Sequence, residues 1–223
     1  MKGAAIATLV GLVAGAQAQT VFYSGDFNGV NGHASQMGGT VFEDMRIYDD
    51  FVLSQTTTIT GVFANFLQFN QQGANSIYWE IRQGITPGNG GTVVHASTVS
   101  PATVTATGNG LSIYTEYKYE SAVSSFDLAP GTYFLTVALS GPYDSAYLSE
   151  TEGANGVGST IGNNSAFLDA WDVVNNDHFE VWTPKSTDYS MGLVGTAAVP
   201  EPASILAIGL GIGALARRKR QTT

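Results

Sequence analysis

The stretch Ser76-Ile77-Tyr78-Trp79-Glu80-Ile81-Arg82 decides the fold class. In an extended chain successive side chains point to opposite faces, so Ile77, Trp79 and Ile81 share one face while Glu80 and Arg82 share the other. The segment 132–139 repeats the pattern, with Tyr133, Leu135, Val137 and Leu139 alternating with Phe134, Thr136 and Ala138. Working outward, further strands are predicted at 21–23, 47–53, 57–68, 92–98, 102–107, 113–126, 165–171 and 190–195. Turn-forming runs punctuate them: Pro87-Gly88-Asn89-Gly90-Gly91, Gly108-Asn109-Gly110 and Pro130-Gly131. No 3.6-residue periodicity runs through this body. Short strands with such punctuation predict an all-β fold, an antiparallel β-sandwich of jelly-roll-like type, with an up-and-down barrel as the alternative. Two stretches rich in Gly, Asn and Ser, 24–40 and 149–164, read as long surface loops.

Composition narrows the chemistry. The chain has 223 residues and no cysteine, which excludes disulfides, zinc thiolate sites and a cysteine nucleophile together. Between residues 19 and 198 four cations (Arg46, Arg82, Lys118, Lys185) stand against 17 acids, a formal charge of −13. Such a surface repels nucleic acid, so no nucleic-acid partner is expected.

Both ends read as addresses. Lys2, an apolar run over 4–16 and the A-x-A triplet ending at Ala18 predict a signal-peptide helix over 1–18. Ala16 and Ala18 are the small residues signal peptidase reads, and the mature chain is expected to begin at Gln19. At the other end Val199-Pro200-Glu201-Pro202 precedes an uncharged run over 203–216, then Arg217-Arg218-Lys219-Arg220 over 217–220. Fourteen residues give a helix of about 21 Å, short for a membrane span that needs ~20 residues. The basic stop favours a cytoplasmic C-terminus, with the tail held in the inner membrane for a time. Gly209 and Gly213 form a G-x-x-x-G pair, open to helix packing or to simple Gly richness. Three segments result: 1–18, an ectodomain over 19–198, and a sorting segment over 199–223.

The order Val-Pro-Glu-Pro, apolar run, basic stop resembles the PEP-CTERM sorting domain of Gram-negative bacteria. That resemblance implies recognition by an exosortase, which cuts near Pro200-Glu201-Pro202 and leads to a cell-surface or extracellular destination. It also implies a setting of exopolysaccharide and biofilm. The body is similar to a recurrent group of PEP-CTERM ectodomains at Tyr48-Asp49-Asp50-Phe51, Trp79-Glu80-Ile81-Arg82-Gln83-Gly84 and Leu128-Ala129-Pro130-Gly131-Thr132-Tyr133. No activity attaches to that likeness.

Candidate chemistry is sparse. Asp49-Asp50 reads as a strand-edge pair accepting backbone N–H groups, or as a ligand supply for Ca²⁺. Asp169, Asp172 and Asp177, with Asn175 and Asn176, put five oxygen-bearing side chains in nine residues, so structural calcium is open there, without an EF-hand spacing. Asp26-Phe27-Asn28-Gly29-Val30 is better explained by Asx turns. His33, His95 and His178 share no metal-ligand spacing, and no G-x-S-x-G elbow exposes a serine. No catalytic residue is therefore expected, and a secreted hydrolase is the least favoured reading. Tyr78, Tyr114, Tyr143, Tyr147, Trp171 and Trp182 are candidates for a sugar-stacking platform or for core packing. The function expected is a non-catalytic exported surface or matrix protein, or alternatively a carbohydrate-binding module.

Overall fold

The computed structural model describes residues 17–38, 44–69, 74, 76–101, 103–140, 146–172 and 177–197, with the side chains of 172 and 177–179 outside the description. The sorting motif, the basic stop, Ala16 and both predicted terminal helices lie outside the described residues. Ala18–Ala198 form one compact unit.

Fifteen strands are described: β1 (Gln19–Tyr23), β2 (Phe27–Ala34), β3 (Gln36–Met37), β4 (Asp44–Leu53), β5 (Thr57–Gln68), β6 (Ser76–Gln83), β7 (Thr92–Val99) and β8 (Thr103–Leu111). After them come β9 (Tyr114–Leu128), β10 (Gly131–Ser140), β11 (Tyr147–Thr151), β12 (Ala166–Asp172), β13 (Asp177–Lys185), β14 (Asp188–Tyr189) and β15 (Met191–Ala197). They form two sheets, one of which curls into a half-barrel.

The seven-stranded sheet runs β13-β12-β4-β3-β10-β6-β7. The eight-stranded sheet is organised by β5. Its edge pairs with β15 over Thr57 to Ala64, then with β11 at Phe66 and Leu67, while its other edge pairs with β9 along nearly its whole length. β8 continues from β9, and β2 from β11. Pairing is antiparallel except for β3 and β10, which run parallel at Leu139 and Ser140.

The alternation seen in sequence becomes the core. Ile77, Trp79 and Ile81, Leu135, Val137 and Leu139 face Ile59, Val62, Phe66 and Leu193 of the other sheet. Trp79 stacks on Phe126 with ring centroids 5.4 Å apart and planes 4° from parallel. This apolar interface is the main source of stability in a chain without disulfides.

Several expectations change. The stretch 24–40 is not a loop: it contains β2 and β3. β2 is held by backbone pairing to β11 at the sheet edge and buries few side chains, so apolar alternation never marked it. Likewise 149–164 begins inside β11, and its remainder is tied down by bridges from Val157 to Tyr23 and Ser159 to Val52. Gly108-Asn109-Gly110 does not separate two strands. It lies in β8 as a bulge, and the hairpin turns at Ser112-Ile113, with Ser112 at φ +56°. β13 was hidden by Pro184, which an edge strand tolerates.

Replacing Ile81 by Ala removes a side chain with no solvent exposure from the centre of the interface. The expected cost is about 2–5 kcal/mol, read as a lower midpoint in urea with an unchanged slope.

Candidate functional site

The sequence-derived candidates separate into three places. On the outer face of the seven-stranded sheet Asp169 accepts from Arg46 Nη2 at 2.9 Å. On β6, two strands from Arg46 of β4, Glu80 is held by Arg82, by Tyr78 Oη and by Tyr48 Oη. Trp182 lies against Tyr48, ring centroids 4.9 Å apart, and the Arg82 guanidinium sits 4.8 Å from the Trp182 ring. Gly90 is required here, because a Cβ at that position would meet Trp182 Cζ2 at 2.2 Å. Burial pushes the Tyr78 hydroxyl up to about 12 and Tyr48 higher still. The result is a small packed cluster of rings and ion pairs, with Asp169 and Glu80 each facing a guanidinium.

That arrangement bears on calcium. Asp169 faces an arginine, and Asp172 and Asp177 are backbone partners across the β12–β13 pair, their side chains lying outside the description. Among the described residues no three acids or histidines gather as a metal site. The Asx-turn expectation at 26–30 holds at Asn28, whose Oδ1 accepts from Val30 N at 2.9 Å.

Asp49 and Asp50 point to opposite faces. Asp49 is buried and its Oδ2 accepts from Tyr189 N at 2.9 Å, whereas Asp50 accepts from the Asn163 amide at 2.9 Å. Burial, reinforced by the nearby Asp188 carboxylate, raises the Asp49 pKa well above the carboxylate range. Asp188 and Asp50 shift the same way, burial being the larger cause in each.

The third place is the concave face of the curled sheet, which sequence reasoning only half found. Directly paired residues share a face, so Leu67 of β5 stands beside Glu116 of β9 and Tyr147 of β11. Tyr114 lies two residues before Glu116, on the same face. Asn31, Gly32, Leu67, Leu111, Tyr114 and Tyr147 line a cavity of about 120 Å³. The Tyr114 and Tyr147 rings stand at 87° with centroids 5.5 Å apart. Burial and the Tyr114 hydroxyl raise the Tyr147 pKa. Asn31 donates to Glu150 Oε1 at 3.3 Å.

Behind this cavity the concave face is polar and closed to solvent. Glu116 has 0% exposure. Its Oε2 accepts from Thr107 Oγ1 at 2.6 Å and Asn109 Nδ2 at 3.0 Å, two residues delivered by the β8 bulge. Glu116 Oε1, Asn65 Oδ1 and Ser149 Oγ are buried on this same face without a hydrogen-bond partner. Asn65 also donates to Tyr23 Oη and Ser190 Oγ, at 3.2 and 2.8 Å. In the sequence Glu116, Lys118 and Glu120 look like a solvated strand face, which is why Glu116 was missed.

A larger cleft of about 410 Å³ lies at the other end of β5, between Gln19, Val21, Val52, Gln55, Val157 and Ala197. Its lining holds no Asp, Glu, His, Lys, Arg or Tyr side chain. Tyr143 lies outside the described residues.

The family comparison concerns the tail. Residues 198–221 match the model of the PEP-CTERM protein-sorting motif. The chain carries a PEP-CTERM sorting signal. A PEP-CTERM signal implies an exported, cell-surface protein processed by an exosortase. Among curated proteins none matches this chain.

The aspartate pair sets a pH dependence. The folded pKa of Asp49 exceeds its unfolded value of about 4, so the folded state holds the proton more tightly. Stability present below the unfolded pKa is lost as pH rises through the folded one. The melting temperature is therefore expected to fall as pH rises above about 4. Asp49→Asn, which keeps an acceptor for Tyr189 N–H, should flatten that fall and melt higher than the parent at pH 7.

For the third acid, Asp169→Ala strands Arg46 beside the packed rings. Thermal unfolding should then occur several degrees lower, while EDTA leaves the unsubstituted protein's midpoint unchanged. A midpoint lowered by EDTA and restored by Ca²⁺ would contradict the arginine-partner account.

Proposed function

We propose that this chain is a non-catalytic surface or matrix protein, delivered by its PEP-CTERM signal and working in contact with exopolysaccharide. Signal peptidase would release the N-terminus at Gln19, and the tail would hold the chain briefly in the inner membrane with its basic end cytoplasmic. Val199-Pro200-Glu201-Pro202 and the Arg217–Arg220 stop are a processing enzyme's substrate in this reading, not a catalyst's parts. The body it delivers is a jelly-roll-like sandwich.

The observation that carries the proposal is the sorting motif at 198–221. The body supports it, because its buried acids are held by internal partners. Asp49 has the Tyr189 amide, Asp188 the Ser165 amide, Asp169 has Arg46, and Glu80 has Arg82. A hydrolase needs convergent, accessible groups with perturbed pKa values, and the larger cleft supplies no titratable side chain. The second reading, a carbohydrate-binding module, is favoured by one feature: the right-angled Tyr114–Tyr147 pair over its cavity.

Fractionation of the chain, tagged in its body, tests the sorting proposal in hosts with and without the exosortase. The mature protein should lack a segment close to the matched 198–221 and appear outside the inner membrane. Without the enzyme it should keep its tail and stay in the membrane. An intact tail in the inner membrane under both conditions would leave a plain membrane anchor.

A further inference from the structure

We propose that the concave face of the curled sheet is a binding subsite for one ring of a neutral sugar. Tyr114 and Tyr147 would form its stacking corner, and Glu116 its buried acceptor. The inference deepens the reading of the body as a polysaccharide-contacting module and rests on it.

Four observations converge on this one face. The first is shape. β8-β9-β5-β11-β2 curl so far that a Cβ on Gly32 of β2 would meet Leu67 Cδ1 of β5 at 3.0 Å, across the intervening β11. The second is size. A cavity of about 120 Å³ is small for a drug-sized ligand, which takes ~300 Å³ or more. An engineered cavity of ~150 Å³ holds benzene, so this one admits one edge or face of a hydroxylated six-membered ring, the rest of the ring lying outside it.

The third is the wall chemistry. Two tyrosines at 87° offer one ring face to stack on and a second ring to close the side. The fourth is unfilled hydrogen-bonding capacity. Glu116 Oε1, Asn65 Oδ1 and Ser149 Oγ are buried without partners on this face, and two of the three can only accept. Leaving such atoms unpaired costs ~1–3 kcal/mol each, so a ligand bringing donors gains on arrival.

These requirements select the occupant. It must present a flat C–H face to a tyrosine and several hydroxyl donors toward the acceptors behind the lining, which side-chain movement on binding would have to uncover. A pyranose does both. An acyl chain brings no donors, and a tyrosine of a partner peptide brings one. A cation would serve the acceptors but gain little from Leu67 and Leu111. Charge refines the choice. The body is at −13, with Glu116 behind the cavity and Glu150 beside Asn31, so a uronate or a sulfated sugar is repelled.

Position agrees with exposure to a matrix. Ala197, the last described residue before the sorting motif, pairs with Thr57, whereas Leu67 lies ten residues further along β5, roughly 33 Å away at ~3.3 Å per residue. The site lies toward the opposite end of β5 from Thr57, the partner of Ala197. Val30 and Ile113, each 64% exposed, neighbour Asn31 and Tyr114 there and can extend contact to adjoining rings.

The test uses the full chain in a detergent with a non-glycosidic headgroup. Oligosaccharides of glucose, galactose and N-acetylglucosamine, with oligoglucuronate as the charged control, are titrated by calorimetry and by saturation-transfer NMR. At least one neutral series should bind with Kd of about 1 mM or tighter, and oligoglucuronate at least about tenfold more weakly. Tyr147→Ala should weaken binding about tenfold and Tyr147→Phe much less. Glu116→Gln should weaken it without lowering the melting temperature. Gly32→Ala, whose methyl enters the cavity, should also weaken it. If Tyr147→Ala does not fold, the partly exposed Tyr114→Ala reads the same contact.

Absence of binding by every neutral series, or binding that survives Tyr114→Ala and Gly32→Ala unchanged, overturns the proposal. Equal affinity for oligoglucuronate does so too. Fractionation reads the tail and titration reads the body, so either proposal can fail while the other stands.

Discussion

The curled sheet depends on one constraint: β5 has to be paired along both edges and buried on both faces. From Gly61 to Gln68 each of its residues is buried. Val62, Ala64 and Phe66 meet the main core, while Phe63, Asn65 and Leu67 face the concave side. Its partner along one edge changes from β15 to β11, and Ser190 bridges the change. Asn65 N donates to Ser190 O at 2.9 Å, and Ser190 N to Ser149 O at 2.8 Å. A strand handed from one neighbour to another bends the sheet, and the bend encloses the concave face. Everything distinctive there follows: the tyrosine corner, the buried glutamate and the unpaired acceptors.

The two sheets treat buried charge differently. On the outer face of the seven-stranded sheet Asp169 and Glu80 each meet a guanidinium, and rings close over the pairs, so the cluster behaves as an outlying piece of core. Breaking such a pair costs more than the pair contributes, because the survivor remains buried. On the concave face Glu116 meets a hydroxyl and an amide instead, with one oxygen left over. The distinction lies in the partners rather than in depth of burial.

How much of this was legible in the sequence follows the same division. Alternation found β5 to the residue, and β6 and β10 nearly so, because their side chains pack on a core that imposes period two. It missed β2, β11 and β13, whose positions are set by backbone pairing at edges or across a fold-over. A sequence records that residues share a face; whether the sheet then curls over that face is decided by strands far away in the chain. Tyr114 and Tyr147 were visible as candidate stacking residues, but nothing local joined them to Glu116, Asn65 or Ser149. Asp169 stood out as an oxygen ligand, but its partner Arg46 could not be read beside it, because it lies more than a hundred positions earlier. The sorting motif was readable outright, since its information is local by design.

One feature of the topology bears on biosynthesis. β15 lies between β1 and β5, so apart from the Tyr23–Val157 bridge at its end the first strand of the body has no partner until the last one arrives. Contacts across such a separation in sequence form late. The sheet therefore completes only when residues 191–197 have been delivered, immediately upstream of the matched motif at 198–221. A truncated chain would leave β1 and the β5 edge bare and would lack the signal as well. Folding and addressing thus share a checkpoint: the segment that closes the body is the one that leads directly into its label.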